Sequence, residues 1–82
     1  MYLAVIEVEP LEDYQLLLTF ENGEKRIFDM KPYLDKGIFQ ELKDKKKFRT
    51  VRVSFDSIEW VNHADIDPEI LYEKSARDLT SM

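Results

Sequence analysis

The residues best suited to chemistry sit close together in His63-x-Asp65-x-Asp67, with Glu69 two positions further on. One imidazole and two or three carboxylates at such spacing could hold a divalent cation, or share a proton between Asp65 and Asp67 in acid–base work. A small metal-dependent enzyme using His63, Asp65 and Asp67 is therefore one reading. Each residue also has a simpler local use. Asp67 directly precedes Pro68, so its carboxylate can cap a helix whose first position carries the proline. Glu69 then lies beside the positive end of the helix dipole. Asp65 shapes the preceding loop and His63 is left exposed. On balance the sequence predicts no metal and no catalytic residue here; Asn62, His63, Asp65 and Glu69 are read as a surface binding patch.

A second concentration of charge runs from Lys43 to Arg52, where six basic residues meet one acid, Asp44. The rest of the chain then holds six basic residues against sixteen acidic ones, a balance of −10. Lys45, Lys46, Lys47, Arg49 and Arg52 could hold a nucleic-acid backbone, with Phe48 stacking on a base. The simpler use of these lysines is to guard a strand edge, and of Phe48 to enter the core. Nucleophilic catalysis has little to draw on. There is no cysteine, and no serine lies in a nucleophile-elbow pattern. No cofactor is implied.

The elements that must position these residues follow from periodicity. Leu3 to Glu9 reads as a strand ending near Pro10, with Glu12-Asp13 in the connecting turn. Tyr14, Leu16, Leu18 and Phe20 alternate with Gln15, Leu17 and Thr19 up to Asn22-Gly23, the strongest short hairpin signal. A two-residue turn with both residues at positive φ would set Leu18 opposite Ile27 and Leu17 opposite Phe28. Both faces of that hairpin would then be covered near its middle. Asp29 starts a short turn, Gly37 breaks it, and Ile38, Phe39 and Leu42 share one face of a short helix. Val51, Val53 and Phe55 alternate in a strand read as running from Phe48 to Phe55. A turn at Asp56-Ser57 would pair Phe55 with Ile58 and Val53 with Trp60, all on one buried face. Ile66 and Leu71 have the spacing of a hydrophobic staple around the Asp67 cap of a helix from Pro68 to Arg77. Thr80 to Met82 is expected to fray.

Eighty-two residues form one small domain, read here as spanning 1–82. The apolar opening runs into Glu7 and Glu9, which suits a strand better than a leader or a membrane span. The net charge of −5 and the lack of cysteine fit a reducing, cytoplasmic setting and disfavour nonspecific binding to nucleic acid.

Trp60, the run Ala64-Asp65-Ile66-Asp67-Pro68-Glu69 and Leu71-Tyr72 resemble the small bacterial proteins grouped as domain of unknown function (DUF) 2442. The hairpin from Leu16 to Glu24, Phe28-Asp29, Pro32-Tyr33-Leu34, Phe39-x-x-Leu42 and Phe48-x-x-Val51 fit the same pattern. Val61-Asn62-His63 departs from the small or proline-containing loop usual after the tryptophan. The resemblance implies a standalone cytoplasmic α+β domain without assigned activity, often encoded beside another small protein as in toxin–antitoxin pairs. Some members carry a helix-turn-helix, for which there is no room here. Others are associated with molybdopterin cofactor synthesis, yet Gly23 and Gly37 alone cannot build the glycine-rich loop that a nucleotide-using enzyme requires.

The expectation is an α+β fold: a small, mostly antiparallel sheet of about five strands in two hairpins, a short middle helix and a C-terminal helix. The expected role is a noncatalytic protein-interaction domain, with a protein from an adjacent gene as partner or a second copy of itself.

Overall fold

The structure, a computed structural model, describes residues 3–77. Strands β1 (Val5–Pro10), β2 (Gln15–Phe20) and β3 (Lys25–Asp29) form an antiparallel meander. Two 3₁₀ segments follow, Lys31–Tyr33 and Gly37–Lys43, and then a single turn of helix, α1 (Lys45–Phe48). Strands β4 (Arg52–Ser54), β5 (Ser57–Glu59) and β6 (Asp65–Ile66) make a second antiparallel sheet. Helix α2 (Pro68–Lys74) leads to β7 (Ala76–Arg77), which returns to pair with β3. The class is α+β with antiparallel pairing. The five expected strands are joined by β6 and β7, each two residues long and too short to show alternation, and they divide into two sheets.

The Asn22-Gly23 turn differs from its expected form. Phe20 N–H donates to Glu24 C=O at 2.9 Å and Gly23 N–H to Phe20 C=O at 2.8 Å, so the loop has three residues. Gly23 takes φ +85°, while Asn22 stays at negative φ and its side-chain oxygen accepts the Glu24 N–H at 3.0 Å. A turn closed by one left-handed residue is the three-residue solution to a hairpin. The extra residue shifts the register by one, setting Leu18 opposite Arg26 and Leu17 opposite Ile27. Leu16, Leu18, Phe20 and Phe28 consequently share one buried face, and Leu17 and Ile27 are only half-buried on the other.

Two further expectations are corrected. Phe48 closes α1 instead of opening a strand, because the Asp44 carboxylate accepts the Lys46 N–H at 2.9 Å and caps a turn of helix there. The helix after Pro68 stops at Lys74, since Ser75 is extended and Ala76–Arg77 pair with β3. Fraying at Thr80 to Met82 falls outside the described residues. The Asp67 cap forms as expected: its carboxylate accepts the Glu69 N–H at 2.8 Å, with Ile66 and Leu71 both buried. Asp67→Ala is expected to lower stability by about 0.5–2 kcal/mol, read from the denaturation midpoint.

One core spans both sheets, with Trp60 fully buried at its centre. Arg26 fastens the C-terminal segment to the meander. Its guanidinium donates to Ser75 Oγ and to Ser75 C=O, each at 2.8 Å, pairs with Glu24, and lies 4.4 Å from the centre of the Tyr72 ring. Tyr72 Oη in turn donates to Glu24 at 2.9 Å. Arg26 and Tyr72 together hold the Glu24 carboxyl below the ordinary carboxylate range. The folded chain therefore binds that proton less readily than the unfolded one. The stabilisation is full above the unfolded value of about 4.3 and is lost as pH falls through the lower folded value. Melting followed from neutral pH downward should show that loss, and Glu24→Gln should flatten it.

Candidate functional site

The patch after Trp60 is a second three-residue loop. Trp60 N–H donates to Ala64 C=O at 3.0 Å and His63 N–H to Trp60 C=O at 2.9 Å, repeating the bonds made at Phe20, Gly23 and Glu24. Asn62 mirrors Asn22, its side-chain oxygen accepting the Ala64 N–H at 3.1 Å, while its amide donates to Ile38 C=O at 3.3 Å. His63 takes the place that glycine holds in the first loop, at φ +70°. A left-handed non-glycine residue costs about 1 kcal/mol. His63→Gly is thus expected to stabilise the domain by about 0.5–1 kcal/mol, measured by chemical denaturation.

The His63 side chain is 83% exposed, and its Nδ1 lies 3.6 Å from Glu59 Oε2. Arg52, with His63 adding to it, holds Glu59 below the ordinary carboxylate range. Asp65 stands opposite Glu59 across the β5–β6 pair, and Asp67 is occupied by its cap. Among the described residues, no three of histidine, aspartate and glutamate gather in a group that could hold a metal ion. Glu69 sits exposed on the first turn of α2. The Ser57 and Ser75 hydroxyls are directed to the carbonyls of Ile66 and Tyr72.

The basic segment divides. Lys43 pairs with Asp35 at 2.6 Å, Lys47 with Glu41 at 3.6 Å and Arg52 with Glu59 at 3.2 Å. Lys45, Lys46 and Arg49 make no ion pair with the described residues. Half the charge that could track a nucleic-acid backbone is therefore matched within the chain.

The hairpin from β4 to β5 holds the largest departure from expectation. Ser54 pairs with Ser57 and Val53 with Ile58, so the two-residue turn is Phe55-Asp56 and not Asp56-Ser57. Both turn residues have positive φ, +48° and +68°, as a type I′ turn demands. Phe55, expected inside beside Ile58 and Trp60, is 98% exposed at the tip. The physical reason is register: with Ser54 opposite Ser57, Phe55 becomes a turn residue and falls off the face on which Ile58 and Ile66 are buried. Val5 N–H donates to Asp56 C=O at 3.0 Å and ties the tip to β1. Ile6 follows at a bulge in β1 and is 53% exposed. Ile6 on β1 and 38%-exposed Val53 on β4 are further exposed apolar side chains, and Phe55 itself borders a cleft of about 380 Å³ that Glu59, Asp65 and Asp67 help to line. Nothing in the sequence marks Phe55, since a phenylalanine after alternating valines reads as core.

These features define a small antiparallel α+β domain with an apolar knob beside an acidic cleft. The family profile described as a protein of unknown function, DUF2442, matches residues 5–77, and the chain belongs to that family. Neither a search of curated proteins nor one of solved structures returned a match. Among the described residues, no helix is long and apolar enough to cross a membrane.

Proposed function

We propose that this domain is a noncatalytic protein-interaction module whose anchor is Phe55, serving as the antitoxin-like or regulatory half of a two-protein system. The observation that carries this reading is a fully exposed aromatic side chain held in a left-handed backbone conformation. Such strain persists where surrounding structure enforces it and is concentrated at functional sites. Here the Val5–Asp56 bond and the β4–β5 ladder enforce it. Phe55 is suited to fill an apolar socket, and Glu59, Asp65 and Asp67 beside it favour a socket ringed with lysine or arginine.

The partner favoured by the family pattern is the small protein encoded by the adjacent gene. Co-expression of the two chains, with a tag on one, should recover both. Failure to associate at micromolar concentration and low salt, with both chains folded, would overturn the proposal. Self-association of this chain alone, lost on Phe55→Ser, would replace the neighbour with a second copy.

A further inference from the structure

On a different part of the molecule, the loop between β1 and β2 faces α1 across a cleft of about 390 Å³, a volume suited to a small ligand. Lys45 and Arg49 line it from α1, Glu12 and Asp13 from the loop, and Tyr14 and buried Phe48 also contribute. Asp13 is already engaged by Lys31 Nζ at 2.9 Å, whereas Lys45 and Arg49 have no partner among the described residues. Glu12, the other carboxylate lining the cleft, makes no ion pair with the described residues. The two acids and two bases that line the cleft balance in number, but both cations stand on the α1 wall and both acids on the loop opposite, so the α1 side is a local positive face in a chain of net charge −5.

Its walls are also tied in place. Leu11 N–H donates to Gln15 C=O at 2.8 Å, and Met30 N–H donates to Tyr14 C=O at 2.9 Å. The Tyr14 hydroxyl reaches the Lys43 carbonyl just before α1, and its ring meets Phe48 edge-on at 5.4 Å. Asp13 and Tyr14 both adopt positive φ, +61° and +58°, conformations uncommon for an aspartate and rarer for a bulky aromatic. Backbone strain and two neighbouring cations without an ion pair to the described residues, two independent features, therefore meet at one preformed concavity.

We propose that this cleft binds a small organic anion, with its carboxylate or phosphate group held between Lys45 and Arg49 and an aromatic or apolar body lying against Tyr14. The proposal does not rest on the role assigned to Phe55.

The test uses the ¹⁵N-labelled full chain, titrated at constant ionic strength with phenyl phosphate, benzoate and benzyl alcohol, and separately with a short single-stranded RNA. Saturable shifts of the Tyr14, Lys45 and Arg49 amides are expected with one or both anions, and which anion binds more tightly identifies the acidic group. Benzyl alcohol should bind about tenfold more weakly, the loss anticipated when charge-assisted hydrogen bonds are absent. Arg49→Gln and Lys45→Gln should each weaken anion binding by about tenfold with the rest of the spectrum unchanged, and Lys46→Gln should leave it intact. Shifts that never saturate, that appear equally at Lys25 and Lys74, or that survive Arg49→Gln would overturn the proposal. Tighter binding of RNA, with shifts extending over Lys46 and Lys47, would overturn it in favour of a nucleic-acid surface.

Discussion

Trp60→Ala is expected to destabilise the domain by about 3–5 kcal/mol, enough to unfold much of the population of a chain this small. Trp60 is fully buried, and its ring lies 6.3 Å from those of both Phe39 and Phe48. Its indole N–H donates to Phe48 C=O at 2.9 Å, and its backbone closes the loop to Ala64. The substitution would open a cavity between the two sheets and strand the Phe48 carbonyl, and both effects act in the same direction. Chemical denaturation followed by circular dichroism provides the measurement. A loss below about 1 kcal/mol would show that the core does not depend on this side chain. Trp60→Phe should recover most of the packing but not the hydrogen bond.

Phe55→Ser is expected to weaken association with the proposed partner by at least about thirtyfold, the effect of removing a single interfacial anchor. Folding should be unharmed, because Phe55 contributes no buried surface to the isolated domain. Phe55→Asn separates the two consequences further. Asparagine accepts left-handed backbone more readily, so the variant should gain about 0.5–1 kcal/mol of stability while losing the partner. Binding by calorimetry and stability by denaturation, on the same preparations, check both. Retained affinity in both variants would locate the interface elsewhere.

Loops explain most of what alternation misplaced. Asn22-Gly23 marks a hairpin in any reading, but two-residue and three-residue loops use the same dipeptide and differ by one residue of register. The choice settles whether Leu17 faces Ile27 or Phe28, and only Ile27 stands opposite it. At the second hairpin the serines Ser54 and Ser57 gave no bias between the two possible turns. Phenylalanine at the tip even opposed the turn that forms. Lys45 and Arg49 were visible as charge, but their meeting with the Asp13-Tyr14 loop joins segments some thirty residues apart, which periodicity cannot register.

The sequence by itself determined the local matters: antiparallel strands in an α+β domain, the Asp67-Pro68 helix start with its Ile66–Leu71 staple, the burial of Trp60, and membership of the family. Each rests on near-neighbour chemistry, a cap, a proline φ, a period of two or a spacing of five, and near neighbours are fixed by the chain itself. Tertiary structure alone decided the division into two sheets, the exposure of Phe55 and the pairing of half the basic segment with Asp35, Glu41 and Glu59. Phe55 stands outside because the Ser54–Ser57 pair makes it a turn residue, off the face on which Ile58 and Ile66 are buried. The final register is then the one that satisfies the core and the backbone hydrogen bonds together.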